Sequence, residues 1–147
     1  MSLRTMRVQG QMEQGFAVTM QCGSHTLVMD QPKTAAGTDA GPTPLDMILA
    51  ALAGCFGTIG RFLAHQRKID LRGMRFDIEA DYDPDGLLGR NPDVRPGFQD
   101  IRLLVDIDAD LTLDEKQAFL QEVEGRCPLA DNLLHGAQLH SRLVDSQ

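Results

Sequence analysis

Polar and apolar residues alternate with period two in several stretches of this chain, and lose all periodicity in one. Phe16, Val18, Met20 and Cys22 interleave with Ala17, Thr19 and Gln21, the pattern of a strand with one buried face. Gly23-Ser24 turns the chain, and His25 to Asp30 predicts a second short strand. Ahead of them Met6 and Val8 share a weaker face, so residues 3–30 predict a meander. Farther on, Met74, Phe76, Ile78, Ala80 and Tyr82 face one way while Arg75, Asp77, Glu79, Asp81 and Asp83 face the other. Residues 101–109 repeat this with Ile101, Leu103, Val105, Ile107 and Ala109. The two runs predict an antiparallel hairpin with one wet face, joined by a turn-rich loop over 84–97 that is mobile or covers a site. Its acidic row reads as solvated surface.

The aperiodic stretch is Leu45 to Phe56, apolar all round, which predicts a buried helix. Its start is written clearly after the Gly, Pro and Thr-rich loop 31–43. Thr43 suits the N-cap, Pro44 the first helical position, and Asp46 the third, beside unpaired amides. The helix runs to about 67, where His65, Gln66, Arg67 and Lys68 suit a C-terminus. Gly54, Gly57 and Gly60 each cost ~1 kcal/mol against Ala, which predicts close approach by a neighbouring element. Thr112 to Glu115 forms a capping box for a helix from about 113, ending at Gly125 as its C′ residue. Pro128 then makes Cys127 the N-cap of a short helix over 128–135, closed by Gly136, and a last strand is predicted at about 137–144. The order of elements is that of an α+β protein, a single domain over 1–147. One subunit's sheet is too small to cover so apolar a helix, which predicts a dimer that buries it from both sides.

Composition narrows the partners. The net charge is -7, aromatics are 5% and Trp is absent, which argues against nucleic acid and anionic membrane surfaces. The most apolar run, Met47 to Phe56, falls short of the ~20 residues of a membrane span. No apolar run follows the basic first residues, so no signal peptide is predicted, and three cysteines do not make a secreted disulfide scaffold. The expectation is a soluble, cytoplasmic protein with reduced thiols.

Cys127 is the first candidate for chemistry. Amides and dipole at a helix N-terminus favour a thiolate, and the adjacent Arg126 could add to this; the alternative is an inert cap. Cys55, mid-helix among apolar residues, reads by itself as a small core residue whose ionisation burial would oppose. Cys22 continues the apolar face of its strand. Cys22-x-x-His25 would need His135 or His140 to complete a metal site, and the spacing is not that of zinc ligands, so no metal and no bound cofactor are expected. The glycines of 54–60 lie within a helix, not after a strand, and do not form a phosphate cradle.

The run Gly41-Pro42-Thr43-Pro44 followed by Ala50-Ala51-Leu52-Ala53-Gly54-Cys55, with a distant Cys127-Pro128, resembles the OsmC/Ohr family of osmotically inducible and organic-hydroperoxide-resistance proteins. The resemblance covers nearly the whole chain, since the element order fits as well. It implies antiparallel sheets wrapped around a long buried central helix in an intertwined homodimer. It implies a peroxidatic Cys55 and a resolving Cys127 that reduce organic hydroperoxides, with an external dithiol, usually on a lipoylated protein, as reductant. The family's best-characterised peroxidases carry a glutamate where this chain has Leu45; the neighbouring acid, Asp46, lies about 180° from Cys55 around the helix. No arginine stands clearly in the family's catalytic position. Lys33 in the loop 31–43 is an imperfect substitute, and Arg4, Arg7 and Arg61 are other candidates. These departures resemble a less defined branch of the family that keeps both cysteines. They leave two alternatives to a peroxidase: a non-catalytic dimer that binds a small apolar ligand, and a thiol redox switch.

Overall fold

The period-two runs become strands, and the aperiodic run becomes a helix with the predicted ends. The computed structural model describes residues 2–145. The chain divides into two compact units, one up to Ala51 and one from Leu52 onward.

In the first unit, β1 (Gln9–Met12), β2 (Val18–Cys22) and β3 (His25–Met29) form an antiparallel meander in that order. Val18, Met20 and Cys22 are half-buried while Thr19 and Gln21 are exposed, as the alternation requires. Cys22 pairs with His25 across the Gly23-Ser24 turn. Met6 and Val8 precede β1 and are exposed rather than part of a strand. A single 3-10 turn, Lys33–Ala35, interrupts the following loop. The helix α1 (Pro44–Arg67) then begins. Thr43 Oγ1 accepts from the Asp46 amide at 3.1 Å, and the Asp46 carboxylate accepts from the Thr43 amide and hydroxyl at 3.0 and 2.7 Å. This is a reciprocal capping box with Asp in place of Glu.

The second unit holds the rest of α1, β4 (Gly73–Asp81), the short α2 (Pro84–Leu87), β5 (Asp100–Asp108), α3 (Leu113–Arg126) and α4 (Pro128–His135). β4 and β5 pair antiparallel with Met74 opposite Ile107, Phe76 opposite Val105, Ile78 opposite Leu103 and Ala80 opposite Ile101, so the two predicted apolar rows share one face. On the wet face Arg75 pairs with Asp106, and Arg102 with Glu79, Asp81 and Asp100. The connection 84–97 is not bare loop: Asp83 caps α2, accepting from the Asp85 amide at 2.9 Å, and Tyr82 meets Phe98 edge-on at its base.

The core of this unit joins Leu52, Phe56, Leu63 and Ala64 of α1 to Ile107, Phe119, Val123, Cys127 and Ala130. Burying each large apolar side chain contributes roughly 1.5–3 kcal/mol. The buried positions on α1, Leu52, Phe56, Gly60, Leu63 and Ala64, follow helical spacing and make one stripe. The helix is therefore not buried all round as its composition predicts: Phe62 is 60% and Ile48 40% exposed. Close approach explains one of the three glycines. A Cβ on Gly60 would lie 2.6 Å from Met74 Sδ; on Gly57 it would make ordinary contact with the Phe76 ring, and on Gly54 it would meet nothing. By length and composition alone α1 is also long and apolar enough to cross a membrane, contrary to the count from Met47 to Phe56, because its apolar character continues through Ala64.

Two further expectations change. Gly125 does not end α3, which continues to Arg126 and stops at an extended Cys127. Residues 137–144 form no strand. Leu139 and Leu143, the apolar residues of that segment's one face, are almost fully exposed, too little apolar area to offset the entropy of ordering a strand.

Candidate active site

Cys55 and Cys127 are brought together. Cys55 sits between Leu52 and Phe56 on the edge of the buried stripe of α1, half-buried and packed against the core. Cys127 occupies the single extended residue between α3 and α4, serving as C-cap of one and N-cap of the other. Glu124 O accepts its amide at 3.1 Å, and its own Sγ accepts from the Ala130 amide at 3.4 Å. Pro128 contributes at the first helical position, where no amide is needed. The side chain of Cys127 neighbours that of Cys55. The two cysteines stand seventy-two positions apart in the sequence, yet the core shared by α1, α3 and α4 brings them near each other.

The electrostatics of Cys127 reverse the expectation from its position. Its side chain is 1% exposed. Burial raises its pKa above the ordinary 9.0, and the neighbouring Cys55 thiol raises it further. The amides of Ala130 and Leu129 pull the other way and do not win. Desolvation outweighs the helix N-terminus here because two amides and the partial dipole charge replace a full water shell. Arg126 does not help: its guanidinium is engaged by Glu122 at 2.6 Å and Gln66 at 2.9 Å, pointing its charge at α3 and α1. Burial thus opposes ionisation of Cys127.

The other candidates have surroundings of their own. Asp46 and Lys33 belong to the first unit. Asp46 is occupied by the capping box with Thr43. Lys33 is exposed in the 3-10 turn, with no ion pair among the described residues. Arg4 and Arg7 are exposed ahead of β1. Arg61 donates to the Leu71 carbonyl, which closes the turn after α1. On the exposed side of α1, Ala53, Gly54, Gly57, Thr58, Arg61 and Phe62 line, with Phe76, an open and almost wholly apolar groove of about 600 Å³. Cys22 is half-buried on β2, and among the described residues no three His, Cys, Asp or Glu side chains gather as metal ligands.

One residue escapes the sequence pattern altogether. Asp30 reads as the last residue of a strand, yet its carboxylate is the hub of the loop that follows. It accepts from the amides of Gln31, Thr38 and Ala40 at 2.7, 3.1 and 3.1 Å and from the Thr38 hydroxyl at 2.6 Å. The Thr38 hydroxyl first, then the amides, lower its pKa to about 2 although it is buried. The wrapped loop brings Gly41 so near Val28 that a Cβ would overlap the Val28 carbonyl oxygen. The signal was a lone acid ahead of a loop rich in Thr and Gly, which supply hydroxyl and unencumbered amide donors.

The model of a family described as OsmC-like protein matches residues 37–141. No curated protein matches the sequence. Among solved structures, an OsmC-like protein from Mycoplasma pneumoniae superposes with a TM-score of 0.78 at 20% identity, covering 90% of this chain and 89% of its own. An organic hydroperoxide resistance protein OsmC from Legionella pneumophila gives 0.66 at 20% identity, over 92% and 93% of the two chains. The organic hydroperoxide resistance protein OhrB of Bacillus subtilis gives 0.61 at 20% identity, over 91% and 93%. At such identities the likeness establishes the α+β fold and leaves the chemistry to the site.

Proposed function

This chain belongs to the OsmC-like protein family, and we propose that it is a thiol-dependent peroxidase that reduces organic hydroperoxides in oxidative-stress defence. The observation that carries the proposal is the nearness of Cys55 to the buried Cys127. The thiolate of Cys55 attacks the outer oxygen of the O–O bond. That bond breaks, the alcohol leaves with a proton, and Cys55 becomes a sulfenic acid. Cys127 gives up its proton as its sulfur attacks Cys55 Sγ, hydroxide leaves, and a disulfide and one water result. An external dithiol, free or carried on a lipoylated protein, returns both sulfurs to thiols and is itself oxidised. No bound cofactor enters this cycle. Roles in activating Cys55 for Lys33 or Asp46 are weakened by their present positions, the one exposed and the other engaged as a cap.

The half-buried, apolar setting of Cys55 suits an alkyl or acyl hydroperoxide over hydrogen peroxide. The names of the Legionella and Bacillus proteins point the same way. The exposed face of α1, with Phe62 and the groove beside Gly54, supports a homodimer in which a second copy covers that face. Three free cysteines suit a reducing compartment such as the cytoplasm.

The test exposes reduced protein to one equivalent of cumene hydroperoxide for seconds, followed by alkylation and peptide mapping. Loss of two hydrogens with a Cys55–Cys127 linked peptide is expected. Alkylatable thiols at both positions would overturn the proposal. One observation favours a second reading, a binding protein for a small apolar ligand: Leu45 stands in the family's glutamate position and Asp46 is occupied as a cap.

A further inference from the structure

We propose that Cys22 and His25, at the closed end of the β2–β3 hairpin, form a second site that captures Cu(I) in two-coordinate geometry. The site lies within the first unit, uses neither Cys55 nor Cys127, and is independent of the peroxidase reading.

The strand register makes the pair. Cys22 and His25 stand directly opposite each other, so their side chains leave the same face of the hairpin. Only Gly23 and Ser24 connect them, and Gly23 takes the left-handed φ of 61° that so tight a turn requires. The turn is tied down from the opposite face. Gln21 Nε2 donates to the Gly23 carbonyl at 2.9 Å, and Thr26 Oγ1 donates to Gln21 Oε1 at 3.0 Å. The backbone beneath the two ligands is therefore fixed before any ion arrives. Cβ atoms of directly opposite residues are about 4.5–5.5 Å apart. Metal–sulfur and metal–nitrogen bonds of roughly 2 Å each, laid in line, span roughly 4 Å. Side-chain rotation alone brings the sulfur and one imidazole nitrogen to that span. Cys22 is a free, half-buried thiol and His25 is exposed, so the ion enters at the tip of the hairpin.

The donors select the ion. Within the strands, the face that carries Cys22 and His25 is otherwise Gly, Val, Leu and three methionines, Met12, Met20 and Met29. The Gln and Thr side chains of β1, β2 and β3 lie on the other face. A hard cation therefore finds no oxygen ligands from side chains here. Zinc takes four protein ligands, or three and a water, and this pair offers two. That shortage excludes zinc, as the Cys22-x-x-His25 spacing does. It does not exclude Cu(I), a soft ion that favours thiolate, accepts imidazole and is satisfied by two ligands in line. Met20, next along the face, is not a third ligand. Its sulfur lies toward β1, where a Cβ on Gly10 would overlap it, the close approach that a glycine inside a strand marks. On binding, Cys22 gives up its proton and His25 coordinates as the neutral ring. Thiolate and Cu(I) then cancel in charge, which suits a site bordered by apolar side chains.

The test uses full-length Cys55→Ala/Cys127→Ser protein, in which the other two thiols are gone and Ser keeps the cap of α4. It is titrated anaerobically with Cu(I) against the chromophoric chelator bicinchoninate. Retention of one Cu(I) per chain is expected. Adding His25→Ala should weaken retention at least about tenfold, since losing even an outer partner of a metal ligand costs that much. Adding Cys22→Ser should abolish it. X-ray absorption of the loaded protein should show one sulfur and one nitrogen bonded to copper, a readout that needs no change in the hairpin. An excess of Zn(II) should not displace the copper. Wild type and its His25→Ala single variant keep all three thiols, should differ by one Cu(I) per chain, and serve if the double variant does not fold. Release of all copper to the chelator, equal retention by the His25→Ala protein, a second sulfur on copper, or displacement by Zn(II) overturns the proposal.

Discussion

Asp30 and Cys127 are both 1% exposed, and their surroundings push them in opposite directions. Asp30 is surrounded by donors, three amides and a hydroxyl, and its pKa falls to about 2. Cys127 has two amides and a thiol neighbour, too few donors to offset its burial, and its pKa rises. Burial removes water from both. The number of oriented donors that replace that water sets the sign. In the first unit the result is a permanently charged hub that fixes a loop. In the second it is a thiol whose ionisation burial opposes, next to a second sulfur.

The largest effect expected from disturbing this contrast is on turnover. Cys127→Ser keeps a good N-cap for α4, because Ser is a preferred capping residue, but cannot form the disulfide. With hydroperoxide and dithiothreitol, the variant should consume a single equivalent rapidly and then slow sharply. Its Cys55 sulfenic acid should be trapped in high yield by dimedone. Unchanged multiple turnover would remove Cys127 from the cycle.

Next in size is the loss of stability on removing the Asp30 charge. The folded pKa of about 2 lies below the ordinary 3.8. The stabilisation from its ionised form is therefore fully present above about pH 4 and is lost as the pH falls through about 2. Asp30→Asn should be less stable than wild type at neutral pH, because an amide NH2 then faces donors. The two stabilities should converge as the pH falls toward 2. Urea unfolding from pH 7 to pH 2 measures this, and a constant gap across the range would show that the carboxylate charge is not what holds the loop.

The same contrast marks what the sequence makes legible. Elements set by local pattern are readable: the alternation of residues 74–80 against 101–107, the Thr43 and Thr112 caps, and the Pro44 and Pro128 starts all appear in place. The helix N-terminus at Cys127 is equally readable, but not its pKa, because the desolvation comes from Phe119, Val123 and Ala130, and from Cys55 seventy-two positions earlier. Asp30 is opaque for a related reason. Its donors lie one, eight and ten residues on, along a loop whose path no periodicity encodes. The exposed side of α1 misleads in the other direction, since composition reports how apolar a helix is and not what covers it.

The smallest expected effect lies at the alkaline end, and it isolates Cys127 from Asp30. A thiol whose folded pKa exceeds its unfolded value of 9.0 favours folding fully below pH 9, and this contribution is lost as the pH rises through the folded value. Reduced wild-type protein should therefore lose stability between pH 9 and pH 10.5 faster than Cys127→Ala. The difference in slope cannot exceed about 1.4 kcal/mol per pH unit, the limit for one proton. The alanine variant loses a cap and some packing at every pH, so its absolute stability is lower throughout and only the slope is informative. Lysine and tyrosine titrations act equally on both proteins and cancel in the comparison. Urea unfolding at four pH values, with thiols kept reduced, provides the slopes. A steeper loss in Cys127→Ala would mean that the helix N-terminus, and not burial, controls this thiol, and that Cys127 is the sulfur that ionises first.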